Sequence, residues 1–192
     1  MKNSMKKKTK YFTGIGSRET PDYALLTLKR LTQFLVSKKY RLRSGHAEGA
    51  DRVCEAGAQG YADIYLPWSD FGIKPYKKDK GMVVRGKSII PNMKKFPKHL
   101  KVIKLICKKM GKYFDSLPSG MQKLLFRNVF QVLGHNPKRA IKSKIVICYH
   151  ENSGGTLYAV KIARKYKIPV LNVRDMDFIE AKKRLTSLLK GK

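Results

Sequence analysis

Tyr11–Pro21 reads YFTGIGSRETP, and this stretch decides the fold. Tyr11–Ile15 has the composition of a short strand, and Gly14 and Gly16 set its end. Pro21 falls where the first turn of a helix belongs, since its missing N–H costs nothing there. Ala24, Leu28, Leu31 and Leu35 follow at helical spacing and form one apolar face. The helix runs into Ser37-Lys38-Lys39, cations suited to the negative end of its dipole. Tyr40–Ser44 reads as a second strand, and Ala47–Gly60 as a helix rich in small residues. Ala62–Leu66 reads as a third strand, closed by Pro67.

The end of the chain repeats this alternation. Lys144–Tyr149 (KIVICY) is a nearly continuous β-branched run, the kind buried on both faces of a parallel sheet. A helix is expected from Gly154 to Lys167, then a strand at Ile168–Val173. Asp177 is a natural N-cap for a last helix whose apolar face is Phe178, Ala181, Leu185 and Leu188. Strand–helix repetition predicts an α/β fold: a single Rossmann-like parallel sheet flanked by helices, with right-handed crossovers. All 192 residues are expected to form one domain, with a basic N-terminal tail over residues 1–10. From Trp68 to Pro137 strand signal is weak, so this part is expected to be a basic, mostly helical insertion laid against the sheet. Its clear helix is Met121–Leu133.

Charge narrows the class of partner. Lys and Arg number 43 against 13 Asp and Glu, a formal net charge of +30. A body so charged repels itself unless a polyanion lies beside it. The lysines concentrate in the insertion: between Lys74 and Lys112, fourteen basic residues face one acid, Asp79. Lys74, Lys77, Lys78, Arg85, Lys87, Lys94, Lys95, Lys98 and Lys101 are therefore the expected nucleic-acid contacts. Lysine excess favours phosphate over base edges, so binding should ignore sequence and weaken with salt. No apolar run approaches the length of a membrane span. Cys54, Cys107 and Cys148 are odd in number and widely spaced, which excludes a disulfide framework and suits a reducing, cytoplasmic setting. No metal site and no cofactor are expected.

Three glycine-bearing turns follow strands: GIGSRETP (Gly14–Pro21), SGHAEGAD (Ser44–Asp51) and ENSGGT (Glu151–Thr156). In a parallel sheet all three lie outside the carboxyl ends of the strands, where open α/β sheets bind ligands. Glycines admit a phosphate close to the backbone, and the following helix supplies N–H donors and a positive dipole end. The expected phosphate or nucleotide contacts are Gly14, Gly16, Ser17, Arg18, Ser44, Gly45, His46, Gly49, Ser153, Gly154, Gly155 and Thr156.

These turns, with AVKIA and IPVLNV after SGGT, resemble the SLOG superfamily, and within it the DprA-like branch (DNA-processing protein A), including compact phage versions. FRNVFQVLG (Phe126–Gly134) resembles a further motif of those phage proteins, which adds Arg127, Asn128 and Gln131 to the expected site. The resemblance implies single-stranded DNA binding at the crevice, help in loading a recombinase, and self-association. Related Lonely Guy phosphoribohydrolases cleave nucleoside monophosphates with PGGxGTxxE. Here SGGTLYAV lacks the proline, a glycine and the glutamate, so the resemblance does not carry hydrolysis over.

Other residues keep two readings. Glu48 and Asp51 suit the dipole of a helix's first turn, or would be the catalytic acids of an N-glycosidase, with Glu19 and Glu151 at the same edge. Tyr65, Trp68, Phe71 and Tyr76 either stack on bases or anchor the insertion. Of the histidines, His46 alone is a site candidate; His99, His135 and His150 read as ordinary polar positions. The preferred expectation is a non-catalytic, sequence-independent DNA-binding protein, with single strands favoured. A nucleotide N-glycosidase and a nucleotide-sensing protein are the alternatives.

Overall fold

A computed structural model describes residues 9–72, 86–135, 141–152 and 154–191. Ser153, Lys74, Tyr76, Lys77, Lys78 and Arg85 lie outside the described residues, as do most of the basic tail and residues 136–140. Six parallel strands form one sheet in the order β4-β3-β2-β1-β5-β6. They are β1 (Lys10–Gly16), β2 (Tyr40–Ser44), β3 (Ala62–Tyr65), β4 (Lys87–Ile89), β5 (Val146–Tyr149) and β6 (Val170–Asn172). The helices are α1 (Asp22–Ser37), α2 (Ala50–Ala58), α3 (Pro97–Lys109), α4 (Ser119–Leu133), α5 (Gly154–Lys165) and α6 (Phe178–Lys190). The Rossmann-like α/β architecture is as expected.

Strand alternation sorts the helices to two faces. Phe12, Leu42, Ala62, Ile64 and Ile147 point to one side, where they pack with Leu28 and Leu35 of α1, Cys54 of α2 and Leu185 of α6. Ile15, Tyr65, Val146 and Cys148 point to the other, against Ile103 of α3, Phe126 and Phe130 of α4, and Ile162 of α5. Each fully buried Leu, Ile, Val or Phe side chain among them contributes about 1.5–3 kcal/mol. Gly14 and Gly16 let α2 lie close on β1: a Cβ at Gly14 would sit 2.8 Å from Cβ of Cys54.

Local signals account for most boundaries. Pro21 is the residue just outside α1, and its carbonyl accepts from the N–H groups of Ala24 and Leu25 at 3.0 Å. Asp177 caps α6 as expected, Oδ1 accepting from the Glu180 N–H at 2.8 Å. Helix α2 is shorter than the expected Ala47–Gly60. The N–H groups of Gly45, His46 and Ala47 are taken by carboxylates of α2, not by a helical turn. The insertion holds α3 and α4, but it also supplies β4, which weak strand signal had not indicated. β4 pairs with β3 in register Asp63↔Lys87 to Tyr65↔Ile89. Among the described residues β4 pairs only with β3, and its first two residues are exposed, so three such residues need no apolar alternation.

Candidate functional site

The sheet order reverses at β1, which pairs with β2 on one side and β5 on the other. Above this switch point lies a cleft of about 530 Å³. Its base is Ile15 and Gly16 of β1 and Tyr149 of β5. One wall is the start of α4, with Met121, Leu124, Leu125, Arg127 and Asn128; the other is the start of α5, with Gly154, Gly155 and Thr156. Ser17, Arg18 and Glu19 form the rim, where Arg18 and Glu19 are exposed.

The wall at α5 is the N-terminal end of that helix. Its first-turn N–H groups carry the positive end of the helix dipole, and a Cβ at Gly154 or Gly155 would meet nothing within 4 Å. Asn128 donates from Nδ2 to the Gly155 carbonyl at 3.0 Å, which holds the α5 start against α4. Its Oδ1, buried, has no partner among the described residues and remains an acceptor beside the cleft. Tyr149 donates to Glu151 Oε1 at 2.7 Å, and that bond is the main reason its hydroxyl is pushed up to about 12.

Behind the cleft Asp51 ties three elements together. Its Oδ1 accepts from the Gly16 N–H at 3.1 Å. Its Oδ2 accepts from Gly45 N–H at 3.2 Å, Ala47 N–H at 3.5 Å and Arg127 Nη1 at 3.4 Å. The carboxylate is wholly buried, and burial pushes it up to about 6 despite Arg127 beside it. Burial likewise lowers Arg127, and Asp51 partly restores it. Arg127 also donates to the Gly45 carbonyl, a contact only glycine allows, because a Cβ at position 45 would fall on the guanidinium.

His46 is held by a second buried acid. Glu55 accepts from the His46 N–H at 2.8 Å and from Nδ1 at 2.7 Å, which supports the positive φ of 61° at this non-glycine residue. Arg52 Nη2 stands 3.3 Å from Nε2 on the other side of the ring. Arg52 also donates to the Gly72 carbonyl, fastening the loop that leaves β3.

Of the residues expected at the site, Gly16, Ser17, Arg18, Asp51, Arg127, Asn128, Gly154, Gly155 and Thr156 meet at the cleft. Gly14, Ser44, Gly45, His46, Glu48, Gly49 and Gln131 do not line it. Gly14 makes room for Cys54, Ser44 donates to the Asp51 carbonyl at 3.3 Å, and Gly49 precedes α2. Gln131 is fully buried one turn below Asn128, both of its amide atoms unpaired among the described residues. The acids that reach the cleft rim are Glu19 and Glu151; Glu48 does not. Tyr65 and Phe71 are buried and so are anchors, not exposed stacking platforms: Tyr65 packs on Phe130, and Phe71 on Trp68 at 5.1 Å. His99 stacks on Phe130 at 4.3 Å and bonds to the Gly134 carbonyl. Among the described residues no cluster of His, Cys, Asp or Glu could hold a metal, and no helix is long and apolar enough to cross a membrane.

Sequence reasoning did not find Glu55, Arg52, Met121, Leu124 or Tyr149. No spacing rule links Glu55 to His46 or Leu124 to Gly16; only the fold brings them together. The lysines expected to touch nucleic acid, where described, are exposed: Lys87 on β4, Lys94 and Lys95 in the turn before α3, Lys98 and Lys101 on α3. Lys104, next on that helix, pairs with Asp115 at 2.8 Å.

No protein-family model and no curated protein matches the sequence. Solved structures do. DNA processing protein A from Helicobacter pylori, in a structure concerned with its single-stranded DNA binding mode, superposes with a TM-score of 0.56 at 15% identity. That match covers 95% of this chain and 81% of the other. DNA processing protein A (DprA) from Streptococcus pneumoniae gives a TM-score of 0.52 at 14% identity, covering 84% of this chain and 48% of that one. This chain therefore has a DprA-like, Rossmann-like fold.

Proposed function

We propose that the chain binds single-stranded DNA without sequence preference. The cleft takes phosphate and sugar of the strand, and the exposed lysines of α3 and the turn before it follow the backbone. The observation that carries this reading is the α5 N-terminus, with Gly154, Gly155 and Thr156, opening on the switch-point cleft whose rim holds the exposed Arg18. A net charge of +30 agrees with a polyanionic partner. The single-strand preference leans on the likeness to the Helicobacter pylori protein, which binds single strands. Recombinase loading and self-association rest only on the resemblance of the sequence motifs to the DprA-like branch.

The test places a charge where the phosphate would go. Gly155→Asp adds a carboxylate in open space at a helix start, where it favours the helix by about 0.3–1 kcal/mol. Thermal stability should hold or rise, and affinity for a labelled single strand, read by fluorescence anisotropy, should fall at least tenfold. Undiminished affinity in the folded variant would remove the cleft from the reading. Equal affinity for duplex and single strand would leave bulk charge as the whole cause.

A further inference from the structure

A second groove, of about 680 Å³, opens at the other end of the sheet, where the strands begin. Tyr11, Arg41, Asp63 and Lys87 lie there on neighbouring strands, on the face that carries α3, α4 and α5. Among the described residues those helices leave this end uncovered: Tyr61 is 37% exposed, and Lys87 is exposed. Two guanidinium–ring stacks lie at this end: Arg41 lines the groove, whereas Arg43 is buried behind Tyr11 and does not. The Arg43 guanidinium lies 3.8 Å from the Tyr11 ring centre, and that of Arg41 lies 5.1 Å from Tyr61.

Both cations are fixed from behind. Arg41 donates from Nε to Asp63 Oδ1 and from Nη2 to the Ala62 carbonyl, each at 2.9 Å. Arg43 donates from Nη1 to the Ile141 carbonyl at 2.7 Å, and its buried Nε has no partner among the described residues. Asp63, the one acid among the described residues that line the groove, is thus committed to Arg41. Rigid tyrosine rings beside fixed guanidinium groups, with Lys87 and His135 at the rim, suit stacked bases flanked by phosphates.

The route between groove and cleft is also basic. Helix α4 starts at the cleft and ends beside His135, which lines the groove, a span of about 22 Å. Helix α3 begins at that end, where His99 bonds to the Gly134 carbonyl and Phe96 lies 5.1 Å from His135. It then returns toward the start of α4, presenting Lys98, Lys101, Lys108 and Lys109 to solvent.

We propose that this groove is a second contact for single-stranded nucleic acid, with bases stacking on Tyr61 and Tyr11 and Lys87 taking a phosphate. A strand seated in the cleft and followed along α3 arrives at it. The inference rests on the chain being a single-strand binder, but not on the cleft being the stronger contact.

The test uses the full chain and oligonucleotides of about 16 nucleotides carrying 5-bromouracil at successive positions, irradiated and mapped by peptide mass. Adducts on Tyr61 or Tyr11 are expected. Tyr61→Leu with Lys87→Glu should weaken binding of the long strand at least about fivefold, the low end of what one stacked base contributes, and leave binding of about 4 nucleotides unchanged. Tyr61→Phe keeps the ring and should keep the affinity; circular dichroism confirms that each variant is folded. Adducts confined to the cleft and α3, or an undiminished affinity in Tyr61→Leu/Lys87→Glu, would overturn the groove and leave the cleft standing. If instead Gly155→Asp changes nothing while tyrosine adducts persist, the cleft fails and the groove stands. A wild-type chain that binds no oligonucleotide overturns both.

Discussion

Asp51→Asn tests whether the buried carboxylate holds the site together. In the wild type its two oxygens meet three backbone N–H groups and Arg127. An amide keeps one oxygen and turns an NH2 toward backbone donors that the carboxyl group had met. Leaving a buried donor unmet costs about 1–3 kcal/mol, so urea unfolding followed by circular dichroism should show a loss of that size. The pH dependence has a definite sign. Burial raises the folded carboxyl to about 6 from its ordinary 3.8, so between these values the native state binds more protons than the unfolded chain. The stability from this group is full below 3.8 and declines as pH rises through about 6. The shift is worth about 3 kcal/mol. The wild-type advantage over Asp51→Asn should therefore be larger near pH 4 than near pH 7. Arg127→Met alone strands the charge on Asp51, and the double variant should recover at least about 1.5 kcal/mol against the sum of the singles. A loss below about 1 kcal/mol, an advantage that grows with pH, or additive singles would each refute the argument.

Two further outcomes are expected. Replacing Lys95, Lys98 and Lys101 together by Ala should lower the slope of log K against log salt for a single strand by about 2, since each neutralised phosphate contributes about 0.7; an unchanged slope would take α3 off the strand's path. Cys54, Cys107 and Cys148 are buried, and burial pushes Cys148 up to about 12 and the other two thiols upward. A thiol reagent at mildly alkaline pH should leave the native protein unlabelled until denaturant is added, and rapid labelling of any of the three would contradict that burial.

What could be read from the chain is what local spacing controls. The apolar period of Ala24, Leu28, Leu31 and Leu35 and the run VICY are properties of contiguous residues, and they were enough for a parallel α/β sheet. The cap at Asp177 and the three turns at the strand ends are local too. Strand and helix alternation with right-handed crossovers then places those turns on one edge, so the neighbourhood of the cleft was legible. Which side chains enter it was not. Asp51 reads either as the acid of a helix's first turn or as a catalytic one, and only the fold commits its oxygens to Gly16, Gly45 and Arg127, residues 35, 6 and 76 positions away. Glu55 binds His46 because α2 starts late, and α2 starts late because its carboxylates take the N–H groups of the preceding loop. β4 exists because β3 offers an unpaired edge, not because KSI favours a strand. Local spacing determined the layers and the edge where ligands belong. Burial decided the rest: inside the fold an unpaired charge or N–H is so costly that partners distant in sequence settle where each side chain points.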